Sequence, residues 1–126
     1  MSEHIRTALI IDDEPAICFL LEQILKMKKI KSFKAESIKA ARVLLTQLSP
    51  DIIFVDHRLP DGFGLHFIPA MKKLCPDTKI VAMTAQEFFD KDIIDSFGAD
   101  YFLAKPFAIN IVQNLIDSFY NKYNLI

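Results

Sequence analysis

The chain alternates short, almost wholly apolar segments with longer segments in which apolar residues recur every three or four positions. The first pattern is typical of buried strands and the second of amphipathic helices. Five such pairs follow one another, which predicts an α/β fold with a five-stranded parallel sheet covered by helices on both faces. The predicted strands are Ala8–Ile11, Lys31–Ala35, Ile52–Val55, Lys79–Thr84 and Tyr101–Ala104. Lys31–Ala35 alternates in polarity and is predicted to lie at an edge.

The helices are indicated by their apolar spacing and by residues typical of helix ends. Pro15 suits the first turn of a helix that runs to Met27, because its missing N–H is not needed there. Ser37 can cap a second helix that extends to Leu48. The remaining predicted helices are Gly64–Leu74, Glu87–Phe97 before Gly98, and a closing helix that starts at Asn110 and buries Val112, Leu115, Ile116, Phe119 and Tyr123.

Composition narrows the class of protein. The 126 residues fit one domain, and a hydrophobic fraction of 52% is enough for a core. A net charge of −1 gives no reason to expect nucleic acid as a partner. The sequence shows neither a signal peptide nor an apolar run of about 20 residues that could span a membrane. Cys18 and Cys75 are expected to be reduced, structural thiols in a cytoplasmic protein.

Polar side chains follow four of the five predicted strands. Asp12 and Asp13 come after the first, Asp56 after the third, Thr84 ends the fourth and Lys105 follows the fifth. In open parallel sheets, ligands bind beyond the carboxyl ends of the strands. Crowded carboxylates suit Mg²⁺, and the lysine and threonine could bind phosphate oxygens. The set predicts an aspartyl-phosphate site with Asp56 as the nucleophile.

The segments that carry these residues are "LIIDDEP", "DIIFVDHRLPDGFG", "IVAMTA" and "FGADYFLAKPF". In this order, each at a predicted strand end, they resemble the receiver domain of two-component response regulators over nearly the whole chain. The resemblance implies a single receiver domain, residues 1–126, with a doubly wound, flavodoxin-like (βα)5 fold of strand order 2-1-3-4-5. It also implies a phosphorylation-dependent signalling switch that is not an enzyme but assists its own phosphorylation and dephosphorylation.

The resemblance also assigns roles to individual residues. Asp56 would accept a phosphoryl group from a histidine kinase or a histidine phosphotransfer protein. Mg²⁺, or Mn²⁺, would be held by Asp12, Asp13, Asp56 and the backbone carbonyl of Arg58. Thr84 and Lys105 would contact the phosphoryl group, and the Lys105–Pro106 bond is expected to be cis.

Further residues are expected to carry the signal. Phosphorylation would draw Thr84 inward, reposition Phe102 and reshape the face made by Glu87–Phe97, the last strand and the last helix. Arg58 and Gln86 would tune the lifetime of the phosphate. The partner would be a downstream protein or an output domain that has been removed, with the receiver as a monomer or a phosphorylation-linked dimer.

Three alternative functions compete with this interpretation. A Mg²⁺-dependent phosphate-ester hydrolase would usually carry DxD after the first strand, where this chain has Asp12-Asp13-Glu14. A flavin-binding domain of the same topology would need a loop rich in Ser, Thr or Gly there. A receiver-like interaction module that works without phosphorylation is the leading alternative, although Asp56, Thr84 and Lys105 are all present.

Overall fold

The computed structural model describes residues 5–85 and 90–124, the last five of these by their backbone only. Its centre is a parallel sheet of five strands: β1 (Thr7–Ile11), β2 (Lys31–Ala35), β3 (Ile52–Asp56), β6 (Lys79–Ala85) and β7 (Tyr101–Lys105). A separate antiparallel pair, β4 (Arg58–Leu59) and β5 (Gly62–Phe63), follows β3. The large sheet has the order β2-β1-β3-β6-β7, which confirms the predicted order 2-1-3-4-5 with β2 at an edge.

Among the described residues, five helices cover the sheet: α1 (Pro15–Met27), α2 (Ile38–Leu45), α3 (Gly64–Leu74), α4 (Lys91–Ser96) and α5 (Ile109–Asn124). Alternate strand residues point to opposite faces. Ile10 and Phe54 pack in one buried cluster with side chains of α1 and α5. Leu9 and Ile53 pack in a second cluster with side chains of α2, α3 and α4. Within the described ranges, no helix combines the length and apolarity needed to cross a bilayer.

The predicted start of the fourth helix at Glu87 is wrong. Asp90 has an extended backbone, with φ −141° and ψ 109°, so a helix cannot continue through it. Its carboxylate instead accepts the N–H groups of Asp92 and Ile93, which makes it the N-cap of α4. The helix therefore begins at Lys91, and Glu87 lies outside the described residues.

Two other predicted boundaries differ by smaller amounts. The second helix ends at Leu45 rather than Leu48, because the N–H groups of Thr46 and Gln47 bond three residues back, in a tighter turn. The closing helix starts at Ile109, one residue before Asn110. Ser37 caps α2 as predicted, since its hydroxyl accepts the N–H of Ala40.

Candidate functional site

The carboxyl ends of β1, β3, β6 and β7 meet at one edge of the sheet, and the polar residues at their ends surround a cavity. Asp56 is the last residue of β3, Thr84 lies near the end of β6, and Lys105 ends β7. The cavity has a volume of about 270 Å³. Its lining residues are Asp13, Glu14, Asp56, His57, Arg58, Thr84, Ala85 and Lys105. The structure thus brings the predicted strand-end residues together.

Lys105 is the electrostatic centre of this site. Its Nζ lies 2.9 Å from Asp12 Oδ2, 2.7 Å from Glu14 Oε1 and 3.2 Å from Asp56 Oδ1. Burial alone would lower the pKa of Lys105, but hydrogen bonds to Glu14 and Asp12 outweigh it, and the pKa lies above its usual value. The ammonium group therefore stays charged and joins three carboxylates from two parts of the chain.

The folded protein disfavours the ionised form of the two buried carboxylates, Asp12 and Asp56. Burial and the neighbouring charge of Asp12 raise the pKa of Asp56 to about 6, although Lys105 opposes the shift. Burial also raises the pKa of Asp12, against hydrogen bonds from the Glu14 N–H and Lys105. Within the described residues, these two and Asp13 form the group that could hold a metal ion.

The residues fit a hard divalent cation. One ligand atom from each of Asp12, Asp13 and Asp56 lies within 4.8 Å of the others, and all are carboxylate oxygens, which Mg²⁺ prefers. Burial and the charge of Asp12 raise the pKa of Asp56, and a cation among the carboxylates would offset the second of these causes. Arg58, whose backbone carbonyl was predicted as a further ligand, lines the same cavity.

The two buried aspartates differ in what they offer to a ligand. Both oxygens of Asp12 are engaged, Oδ1 with the N–H of Glu14 at 2.9 Å and Oδ2 with Lys105 at 2.9 Å. Asp56 lines the cavity and has the longest of the three contacts to Lys105. Asp56 is therefore the buried carboxylate that borders the space where a small group can enter.

The loop after Asp56 folds back tightly because position 64 is a glycine. The N–H of Gly64 donates to the carbonyl of His57 at 2.7 Å, and the N–H of His57 donates to Met83 at 2.9 Å. A Cβ atom on residue 64 would lie 1.9 Å from the backbone oxygen of Asp56. This close approach closes the hairpin β4–β5 against the end of β3.

Asp61, which lies between β4 and β5, connects the same hairpin to the start of α2. The Asp61 carboxylate accepts the N–H groups of Ile38 and Lys39, both at 2.9 Å, at the start of α2. These backbone hydrogen bonds lower the pKa of Asp61. The contact joins residues 22 and 23 positions apart, so it could not be read from local sequence.

The remaining predicted residues have distinct positions. Thr84 is buried and its hydroxyl donates to the carbonyl of Ala85 at 3.4 Å. Phe102 is half-buried and packs against the cluster that contains Ile94 of α4. The Lys105–Pro106 peptide bond is cis. Gln86 lies outside the described residues.

Two cavity residues were not assigned to the site from the sequence. Glu14 makes the shortest of the three ion pairs with Lys105. His57 also lines the cavity. Its ring stacks on Phe63 with centroids 5.0 Å apart, and its buried Nδ1 has no hydrogen-bond partner among the described residues. Burial lowers the pKa of His57.

Comparison with known proteins identifies the family. The model of the response regulator receiver domain matches residues 8–117. The chain is 37% identical over 110 residues to response regulator protein PilR of Pseudomonas aeruginosa, covering 86% of this chain and 25% of PilR. It is 34% identical over 105 residues to the KDP operon transcriptional regulatory protein KdpE of Escherichia coli, covering 83% of this chain and 47% of KdpE.

A solved structure shares the architecture as well as the sequence. The beryllofluoride-activated NtrC4 receiver domain dimer matches with a TM-score of 0.82 and 27% identity, over 94% of this chain and 98% of that one. The chain spans about a quarter of the length of PilR and about half that of KdpE. Receiver domains are phosphoacceptors that bind Mg²⁺ at an acidic pocket and work with histidine kinases. The chain belongs to the receiver domains of two-component response regulators, whose general function is a phosphorylation-dependent switch.

Proposed function

We propose that Asp56 is the phosphoacceptor of this receiver and that residues 1–126 form one receiver domain. The observation that carries the assignment is the position of Asp56 between Lys105, 3.2 Å away, and a cavity of about 270 Å³ that Thr84 also lines. The other buried carboxylate, Asp12, already has both oxygens engaged. Asp56 is therefore the better nucleophile toward a group that enters the cavity.

Phosphorylation would form one bond and break another. A carboxylate oxygen of Asp56 attacks the phosphorus atom of a phosphohistidine, and the bond from phosphorus to the imidazole nitrogen breaks. The imidazole keeps the electron pair of that bond and is the leaving group. At neutral pH Asp56 is mostly ionised despite its raised pKa of about 6, so no separate base is needed to activate it.

The other residues would stabilise charge around the transferred group. Asp12, Asp13 and Asp56 would hold Mg²⁺, with the Arg58 carbonyl as a further ligand. The ion supplies positive charge that offsets the phosphoryl oxygens. Lys105 would contribute a second positive charge, and the buried Thr84 hydroxyl would turn from its weak 3.4 Å contact with Ala85 to a phosphoryl oxygen.

Movement of Thr84 would be transmitted along β6 and β7 to the surface beside them. Thr84 pairs with Ala104 in the sheet register, and Phe102 lies on the same strand as Ala104. Repositioning of Phe102 would alter its packing against α4 and so favour one arrangement of the α4–β7–α5 face. This is a population shift, whose extent is limited by the free-energy difference between the two states.

The proposed partners follow from the family and from the surface. A histidine kinase or a histidine phosphotransfer protein would supply the phosphoryl group. A downstream protein, an output domain elsewhere in a longer chain, or a second copy would bind the α4–β7–α5 face. The beryllofluoride-activated NtrC4 receiver domain is itself a dimer. Exposed Ile93 on α4 and Ile111 on α5 are suited to such contacts.

The receiver would catalyse only its own phosphorylation and dephosphorylation, with Arg58 and Gln86 tuning the lifetime of the phosphate.

Intact mass spectrometry tests the phosphoacceptor. The wild type and two variants are incubated with acetyl phosphate, with and without Mg²⁺. Asp56→Asn removes the acceptor and preserves its volume. Asp77→Asn is the control, since Asp77 is an exposed aspartate just before the start of β6. We expect one phosphoryl adduct on the wild type and on Asp77→Asn only with Mg²⁺, and none on Asp56→Asn.

A short-lived adduct is separated from an absent one by beryllofluoride, which mimics a bound phosphoryl group and is not hydrolysed. Its binding is followed by ¹⁹F NMR in the presence of Mg²⁺. If the wild type forms no adduct and binds no beryllofluoride, the phosphoacceptor assignment is wrong. The chain is then a receiver-like interaction module that works without phosphorylation.

A further inference from the structure

Of the three carboxylate partners of Lys105, Glu14 is the one that was not among the predicted site residues. Its carboxylate lies 2.7 Å from Lys105 Nζ, closer than Asp12 at 2.9 Å or Asp56 at 3.2 Å. Glu14 occupies the N-cap position of α1, but its side chain makes no capping hydrogen bond. The carboxylate is thus directed to Lys105 and lines the mouth of the cavity.

The contacts of Lys105 are saturated in this arrangement. An ammonium group has three N–H donors, and Lys105 has three carboxylate partners within 3.2 Å. To bond a phosphoryl oxygen, Lys105 must release at least one of them. The identity of the released partner then affects how readily the site accepts the phosphoryl group.

Burial indicates which partner is released. The side chain of Asp12 is 0% exposed and that of Asp56 is 8% exposed, whereas that of Glu14 is 56% exposed. A buried carboxylate that loses its cation is left poorly solvated, but an exposed one is rehydrated at small cost. Glu14 is therefore the partner that Lys105 gives up most easily.

On the basis of the proposed function, we infer that Glu14 is a positioning residue that holds Lys105 in the unphosphorylated state and competes with the phosphoryl group for it. The competition weakens the binding of phosphoryl groups at Asp56. The negative charge of Glu14 at the cavity mouth also disfavours the entry of small anionic donors. Both effects make phosphorylation by small donors slower than it would be if residue 14 carried no charge.

Substitution of Glu14→Gln tests the inference because it preserves size and removes the charge. Glu36→Gln is the matched control, since Glu36 is an exposed acid beyond the end of β2, near but outside the contacts of Lys105. Two quantities are measured with Mg²⁺: the half-saturating beryllofluoride concentration by ¹⁹F NMR and the phosphorylation rate with phosphoramidate by intact mass. Urea unfolding of each variant verifies that the fold is retained.

We expect Glu14→Gln to bind beryllofluoride about two- to fivefold more tightly and to react faster by a similar factor, the range that an exposed ion pair supports. Glu36→Gln should match the wild type. A weaker or unchanged Glu14→Gln, or an equal gain in Glu36→Gln, would overturn the inference. Failure of every protein, wild type included, to bind beryllofluoride would instead reject the phosphoacceptor assignment on which it rests.

Discussion

Replacing the proposed acceptor with its neutral isostere should make the protein more stable. Burial and the neighbouring Asp12 charge raise the pKa of Asp56 from 3.8 to about 6 in the folded protein. A shift of that size corresponds to about 3 kcal/mol by which folding disfavours the ionised carboxylate at neutral pH. The Asp56→Asn side chain removes this penalty but must place an amide N–H₂ near Lys105, so we expect a net gain of about 2 kcal/mol.

The pH dependence gives the sign of the effect. Because the folded-state pKa of Asp56 is higher than the unfolded one, the folded wild type binds more protons between pH 3.8 and about 6. Its stability therefore falls, relative to Asp56→Asn, as the pH rises through that window. The gap between the two unfolding free energies should be constant above about pH 7 and should close toward pH 4.

Urea unfolding without metal ions, followed by circular dichroism from pH 4 to 8, measures this gap. Asp77→Asn is the control, since an exposed substitution should change the unfolding free energy by less than about 0.5 kcal/mol. The reasoning is refuted if Asp56→Asn is less stable than the wild type at pH 7. It is equally refuted if the gap does not vary with pH, because the gain would then come from something other than the charge of Asp56.

Three further outcomes are expected. Mg²⁺ should raise the unfolding free energy of the wild type more than that of Asp56→Asn, as measured by urea titration at several Mg²⁺ concentrations. Ser37→Ala removes the acceptor of the Ala40 N–H and should cost about 1 kcal/mol of stability in the same assay. Gly64→Ala would place a Cβ 1.9 Å from the Asp56 carbonyl oxygen and 2.8 Å from Val55 Cγ2. It should both destabilise the fold and slow adduct formation in the intact-mass assay.

The sheet could be predicted closely because its strands are defined by local patterns. Strand β3 is buried at every residue. Its predicted range, Ile52–Val55, differs from the observed strand only in leaving out Asp56. The edge position of β2 followed from its alternating polarity. The site followed from the same local information, because the topology of a parallel sheet brings the ends of its strands to one edge.

What could not be predicted depends on contacts between distant segments. The hairpin β4–β5 is held in part by Asp61, which bonds to the start of α2, and this contact has no local pattern. The pairing of Glu14 with Lys105 joins positions 91 apart. The start of α4 is set by its N-cap Asp90, whose carboxylate accepts the N–H groups of Asp92 and Ile93.

The crowding of buried acids at the site has two consequences: it lowers the stability of the fold, and it allows the site to bind a cation. Asp12 directly follows strand β1, and Asp56 is the last residue of strand β3. The residues that precede them, from Ala8 and from Ile52 onward, are fully buried, so the two acids cannot move apart. Burial and the repulsion from Asp12 raise the pKa of Asp56, and Lys105 offsets only part of this rise. A cation bound there would offset the repulsion and regain part of what folding loses. Substitutions that stabilise this edge of the sheet should therefore be those that weaken Mg²⁺ binding and phosphorylation.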